Sequence, residues 1–144
     1  MSKKVQFFNH ELEFSLAQSN DVSEWIESIV KKHKYNLQNL SIIFTNDEYL
    51  LSMNQQHLQH DYYTDIITFD YRDKLDKKVV NGELYISVDR INDNANTLNL
   101  PFIDELHRVI IHGVLHLCGF GDKSDEEEIE MRKQENIALA LRLF

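Results

Sequence analysis

One cysteine, one proline and four glycines in 144 residues leave little material for anything but regular structure. The lone thiol, Cys118, excludes an internal disulfide and any cysteine-based zinc cluster. With so little glycine and proline there is no room for a flexible linker, and the chain is expected to fold as one domain over residues 1–144. No apolar run approaches the roughly 18 residues that a membrane-crossing helix needs. The opening segment, MSKKVQFFNHELEF, lacks the apolar core and small-residue cleavage site of a secretory signal. A cytoplasmic protein without a membrane partner is therefore expected. Positive charge is scarce too: 15 Lys and Arg stand against 24 Asp and Glu, for a formal net charge of −9. That excludes a wholly basic surface for nucleic acid and leaves room only for a local basic patch.

What is present is the patterning of an ordinary globular protein. Val5–Phe8 and the alternating Leu12–Leu16 read as short strands. A helix follows, capped by Asn20 or Asp21, with Val22, Trp25, Ile26 and Ile29 at helical spacing. It ends in Lys31-Lys32-His33-Lys34, where positive charge suits a helix C-terminus. That run has the chemistry to touch phosphate, but a solvated helix end explains it more simply. Leu40–Thr45 is a β-branched run and a buried strand. Asn46 then caps a helix reaching about Leu58, and Gln59–Tyr63 is a loop. Asp65–Tyr71 is a further strand, Arg72–Lys78 a charged loop, Asn81-Gly82 a turn signal and Glu83–Val88 another strand. A helix runs from Asp89. The next, from about Phe102 to Cys118, is apolar on nearly every side, as expected of a helix through the middle of a core. Ser124 and Glu127 match a capping box that opens a last helix. The sum is an α+β fold: a small mixed β-sheet packed by several helices, with one buried central helix carrying the chemistry, in the manner of zincins.

That helix contains His112-Gly-Val-Leu-His116, followed by Leu-Cys-Gly119-Phe-Gly-Asp122. Positions i and i+4 differ by only about 40° around a helix, so both imidazoles leave the same face. Gly119 is placed to end the helix and let the chain return, bringing Asp122 to a third position. Two imidazoles and a carboxylate suit Zn²⁺ and leave a fourth position open, the arrangement of a hydrolytic centre. The spacing is that of a metzincin-type motif with aspartate as last ligand. An unpaired imidazole is costly in an apolar helix, which favours a metal over a merely structural pair. The general-base Glu that a metalloprotease carries after the first His is replaced by Gly113, so the peptide-cleaving reading lacks its key group.

Three segments in order, ELHRVIIHGVLHLCGF, MNQQHLQHDYYTDIITF and GELYISVDRINDNA, resemble the signatures of the YbeY family of bacterial rRNA-maturation endoribonucleases, and the resemblance covers nearly the whole chain. It implies an α+β fold and a metal-dependent, single-strand-selective endoribonuclease. It also implies action on rRNA of the small ribosomal subunit, in 3′-end maturation and ribosome quality control, with no DNA substrate. The family's third metal ligand is usually His, and Asp122 stands there. The family arginine associated with phosphate falls at Leu58, where no cation exists; His57, His60 or Lys123 are the substitutes at hand. Thr64 and Asp65 match the family's T-D; either they line the cleft, or Asp65 caps or orients neighbouring backbone. The resulting assignment is His112, His116 and Asp122 on the metal, with His112, Asp65 and Lys123 as catalytic candidates.

Other residues have plainer readings. Glu83 is either a partner for a ligand imidazole or an edge-strand surface charge. Arg72 and Arg108 are candidates for phosphate contact, with solvent exposure as the default. His107 lies about 140° around the helix from His112 and should stay outside the site. Cys118 reads as a small core residue, and Asp125–Glu128 as helix-start electrostatics. Two rival functions remain open: a zinc peptidase, and a non-catalytic ribosome assembly factor with a structural metal.

Overall fold

The computed structural model describes residues 4–57, 62–73, 75 and 77–144. Its elements run β1 (Val5–Asn9), α1 (Ser19–Lys32), β2 (Asn36–Thr45), α2 (Asp47–His57), β3 (Ile66–Asp70), β4 (Val79–Ser87), α3 (Val88–Leu98), α4 (Phe102–Leu117) and α5 (Asp125–Ala140). The sheet has the order β1-β2-β4-β3. β1, β2 and β4 run parallel, and β3 pairs antiparallel with β4. This is the mixed sheet with packed helices that the sequence pattern predicts. Among the described residues, no helix is long and apolar enough to cross a membrane.

Alternation along β4 buries Val80, Gly82, Leu84 and Ile86 toward the helices. α4 lies on that face, burying Leu106, Val109, Ile110, Ile111, Val114, Leu115 and Leu117. The approach is close. A Cβ added to Gly113 would stand 2.7 Å from Ile66 Cδ1 and 2.8 Å from Leu84 Cδ2. α1 closes the core beside α4 with Val22, Trp25, Ile26, Ile29 and Val30. The Trp25 indole N–H donates to Ala138 O of α5 at 2.9 Å. On the opposite sheet face α2 lays Leu50 and Met53 over Ile67.

Several sequence expectations shift. Leu12–Leu16 is not a strand: the chain turns at Glu11, with φ of 59°, and Phe14 packs as a plug on Phe44 at 4.8 Å between centroids. The alternation there records burial in a connecting segment, with no ladder partner. Asn81-Gly82 is not a turn but lies inside β4, paired with Asn39, Leu40 and Asp70. Glycine is needed there because a Cβ would collide with Phe69 O and meet Leu117 Cδ2 at 3.0 Å. Asn20 and Asp21 sit in the first turn of α1 and do not cap it; Gln18, in a left-handed conformation, occupies that position. Asn46 caps α2 as expected, its Oδ1 accepting from Tyr49 N at 2.8 Å. The Ser124–Glu127 capping box is present in both directions. Leu58, His60 and most of the expected Gln59–Tyr63 loop lie outside the described residues.

Candidate metal centre

α4 ends at Leu117, and Gly119 takes the left-handed conformation, with φ of 93°. Phe120 N donates back to Leu115 O at 3.0 Å. This reversal is the helix stop that lets the following loop return along the last turn of α4. It carries Asp122 to the two imidazoles. His112 Nε2 and His116 Nε2 are 3.0 Å apart. Asp122 Oδ2 lies 3.4 Å from the first and 3.2 Å from the second. All three residues are half-buried and form a group able to hold a metal ion.

The donor set fits such an ion. Ligand atoms on a tetrahedral Zn²⁺ with bonds of about 2.0–2.2 Å stand roughly 3.3–3.5 Å apart, close to the observed triangle. The outer ring nitrogens agree. His112 Nδ1–H donates to Glu135 Oε2 at 2.7 Å, and His116 Nδ1–H donates to Phe120 O at 2.8 Å. Both partners are acceptors, so the ring protons sit on Nδ1 and both Nε2 atoms present lone pairs to each other and to the Asp122 carboxylate. Three converging acceptors at this range repel one another unless a metal ion, or a proton on one ring nitrogen, lies among them.

Glu135 is 4% exposed. Arg108 Nη1 reaches its Oε1 at 3.0 Å and Arg132 Nη1 at 3.4 Å. Burial alone would raise its pKa; the hydrogen bonds from His112 and Arg108 and the nearby positive charges overcome that and hold it below the ordinary value. For His112, burial lowers the pKa, but Glu135, Asp122 and Asp65 together outweigh it and leave the value raised.

His112 and Asp122 border a cavity of about 860 Å³ whose lining also includes Asp65, Glu105, Arg108 and Glu135. Asp65 sits just before β3, its backbone carbonyl accepting from Ser87 N at 3.0 Å and its Oδ2 from Asn94 Nδ2 at 3.3 Å. Burial pushes its pKa up, against the pull of His112. Glu105, 5% exposed, faces the same space, and its Oε1 has no hydrogen-bond partner among the described residues. Burial and then the charge of Asp65 raise its pKa as well.

The remaining candidates separate. Lys123 is exposed beside Asp122; its backbone N–H donates to Glu127 at 3.1 Å, and it does not line the cavity. His57, at the end of α2, packs edge-on against Phe69 at 6.3 Å, away from the triad. Thr64 Oγ1 donates to Ile66 O at 3.2 Å. Arg108 lines the cavity as an ion-paired residue, and Arg72 pairs with Asp70 at 3.1 Å. Glu83 fits neither of its expected readings: it stands on β4, an interior strand, and accepts from the Tyr71 and Tyr85 hydroxyls. His107 stays outside the site, 3% exposed and contacted by Arg142, Trp25 and Phe144. Cys118 is buried, its thiol pushed up to about 12 by that burial. Gly113 faces the sheet, so no side chain at that position can act in the site.

Sequence reasoning missed Glu135 and Glu105. The available signal was an acid in a buried stripe. Glu135 falls four residues after Met131 and three before Ala138, the other buried residues of α5. Glu105 is an acid in the apolar helix α4.

A family profile described as Endoribonuclease YbeY matches residues 5–141. A protein named Endoribonuclease YbeY from Cytophaga hutchinsonii is 46% identical over 140 residues, covering 97% of this chain and 96% of that protein. One of the same name from Porphyromonas gingivalis is 44% identical over 96% of this chain and 89% of its own length. The solution structure of TM1509 from Thermotoga maritima superimposes with a TM-score of 0.64 at 26% identity, covering 94% of this chain and 86% of that one.

Proposed function

Because the chain belongs to the YbeY endoribonuclease family, we propose that it is a metal-dependent endoribonuclease, selective for single strands, that acts in the cytoplasm as one domain over residues 1–144. Its substrate is rRNA of the small ribosomal subunit, in 3′-end maturation and ribosome quality control. The observation that carries the reading is the triangle of His112, His116 and Asp122, with both Nδ1 protons tied to outside acceptors.

Those three residues hold the ion, and Zn²⁺ matches two imidazoles with one carboxylate. When bound, the ion supplies Lewis acidity toward a phosphoryl oxygen. The chain's own groups do the rest. Glu135 fixes the His112 ring and its tautomer. Asp65 faces the cavity with a raised pKa, suited to taking a proton from the attacking oxygen, whether of water or of the 2′-hydroxyl. Lys123, exposed on the loop directly after Asp122, is assigned the phosphate contact that Leu58 leaves open.

The test combines metal content with cleavage. Wild-type protein and Asp122→Ala are compared for bound zinc and for cleavage of single-stranded RNA, duplex RNA and casein, each with and without chelator. Stoichiometric zinc lost in the variant, with chelator-sensitive cleavage of single strands alone, is the expected result. Casein digestion, or RNA cleavage indifferent to chelator and to Asp122, would overturn the reading. Unchanged precursor 3′ ends in cells carrying only His112→Ala would leave the protein as an assembly factor.

A further inference from the structure

Charge around the triad is divided. On the cavity side Asp65, Glu105, Asp125 and Glu128 gather, while Arg108 and Arg132 are both drawn onto Glu135. On the other side, behind His116, the surface changes character. The Phe120 carbonyl accepts from His116 Nδ1 at 2.8 Å, and the Phe120 ring meets the His33 ring edge-on at 5.0 Å. Tyr35 follows, close enough that a Cβ built on Gly119 would stand 2.8 Å from its hydroxyl. Lys78 Nζ lies over the Tyr35 ring, 4.8 Å from its centroid. Asn36 N donates to Lys78 O at 2.8 Å, fastening the start of β2 to the turn before β4. Lys34 and Lys77 are exposed on either side.

Helix-end electrostatics account for Lys31 and Lys32, in the last turn of α1. They do not account for Lys34, which lies beyond the helix with φ of 64°, or for Lys77 and Lys78, which come from another part of the chain. Among the described residues, all five arginines pair with carboxylates, whereas Lys34, Lys77 and Lys78 pair with none. Of the nearby acids among the described residues, Asp70 pairs with Arg72 and Asp73 accepts from the Leu75 backbone N–H, while Glu24 and Glu27 line a hollow with Lys31 and Tyr35 on the α1 side. In a protein of net charge −9, unpaired cations interleaved with aromatic rings beside the triad are the chemistry that receives a single-stranded polyanion.

We infer that the strip Phe120–His33–Tyr35–Lys78, flanked by Lys34 and Lys77, is the track along which single-stranded RNA extends from the triad, its phosphates on the lysines and its bases against the rings. This rests on the endoribonuclease reading and adds a direction to it. The acidic cavity side repels a run of phosphates, so the strand continues past His116 and away from α5.

The test is the salt dependence of binding and cleavage for the triple variant Lys34→Gln/Lys77→Gln/Lys78→Gln, with Lys133→Gln on α5 as control and Tyr35→Leu as a second probe. The ligands are an unstructured RNA of about 12 nucleotides and a trinucleotide too short to leave the triad. Three lost phosphate contacts should flatten the slope of log affinity against log salt by about 2 for the longer RNA. Trinucleotide cleavage and zinc content should not change. Tyr35→Leu should weaken binding of the longer RNA about tenfold at any salt concentration. If the triple variant keeps the wild-type affinity and slope, or if Lys133→Gln matches it charge for charge, the track is wrong while the endoribonuclease reading stands. If wild-type protein neither binds nor cuts RNA, both fall.

Discussion

Replacing Glu135 with Gln preserves the shape of the side chain and removes its charge, which separates two jobs that one carboxylate performs. The first is orientation: its Oε2 accepts the His112 Nδ1–H at 2.7 Å. The second is compensation: its Oε1 receives Arg108 at 3.0 Å and Arg132 at 3.4 Å. A carboxylate behind a ligand imidazole raises the basicity of the ring, and its loss typically costs 10–100-fold in metal affinity, about 1.4–2.7 kcal/mol. The compensation job is worth less than for a fully buried pair, because the Arg108 side chain is 22% exposed and that of Arg132 64% exposed. A loss of about 1–2 kcal/mol of apo stability is expected. Zinc affinity is measured by competition with a chromophoric chelator, and apo stability by urea unfolding with chelator present. The expected result is a drop in both. A zinc affinity within twofold of wild type, alongside reduced apo stability, would mean that the Glu135 charge only neutralises arginines, and the effect on His112 basicity assigned to that charge would be refuted.

Gly113→Ala should destabilise the fold by about 1–3 kcal/mol in thermal or urea unfolding, because the new methyl meets Ile66 and Leu84 at 2.7 and 2.8 Å; a neutral result would show that α4 is not seated so closely. His107 is 3% exposed, and burial together with the Arg142 charge lowers its pKa to about 4. The unfolded chain then binds more protons between pH 6.5 and 4, so this contribution is complete above pH 6.5 and is lost as pH falls toward 4, up to about 3 kcal/mol. Unfolding of wild type and His107→Gln at pH 7 and 5 should show a steeper fall for wild type; parallel curves would remove His107 as the cause. The Cys118 thiol, buried and raised to about 12, should resist alkylation in native protein at pH 8 and react only on unfolding; rapid native labelling would contradict its burial.

Features set by local spacing were legible from the chain. His112 and His116 one turn apart, a glycine helix stop and Asp122 beyond it are all local geometry, and the triad closes as the spacing requires. The apolar girth of α4 likewise declared a central helix. What escaped depends on partners distant in sequence. Glu135 stands 23 residues from His112, and only the packing of α5 on α4 brings them together. Gly82 looked like a turn because its requirement comes from Phe69 and Leu117 on other elements, not from its own φ. The Leu12–Leu16 alternation was real burial, but a period of two reports which side chains are covered, not whether a neighbouring strand supplies hydrogen bonds.

Two departures from the family pattern bear on one quantity, the charge that meets the substrate. Asp122 adds a negative charge to the donor set where a neutral imidazole would add none, and Leu58 offers no cation. The Glu135 charge does not add to that deficit, because Arg108 and Arg132 absorb it. Relative to that pattern the site is short by two charges, the negative one that Asp122 adds and the positive one that Leu58 does not supply. Compensation has to come from groups not already paired with a carboxylate, and the arginines do not qualify. Among the described residues, Lys34, Lys77 and Lys78 behind His116 have no carboxylate partner and do qualify, and so does Lys123 on the loop that carries Asp122. An ion bound by two imidazoles and a carboxylate would polarise phosphate less strongly than one bound by three imidazoles, which would place a larger share of substrate recognition on surface outside the triad.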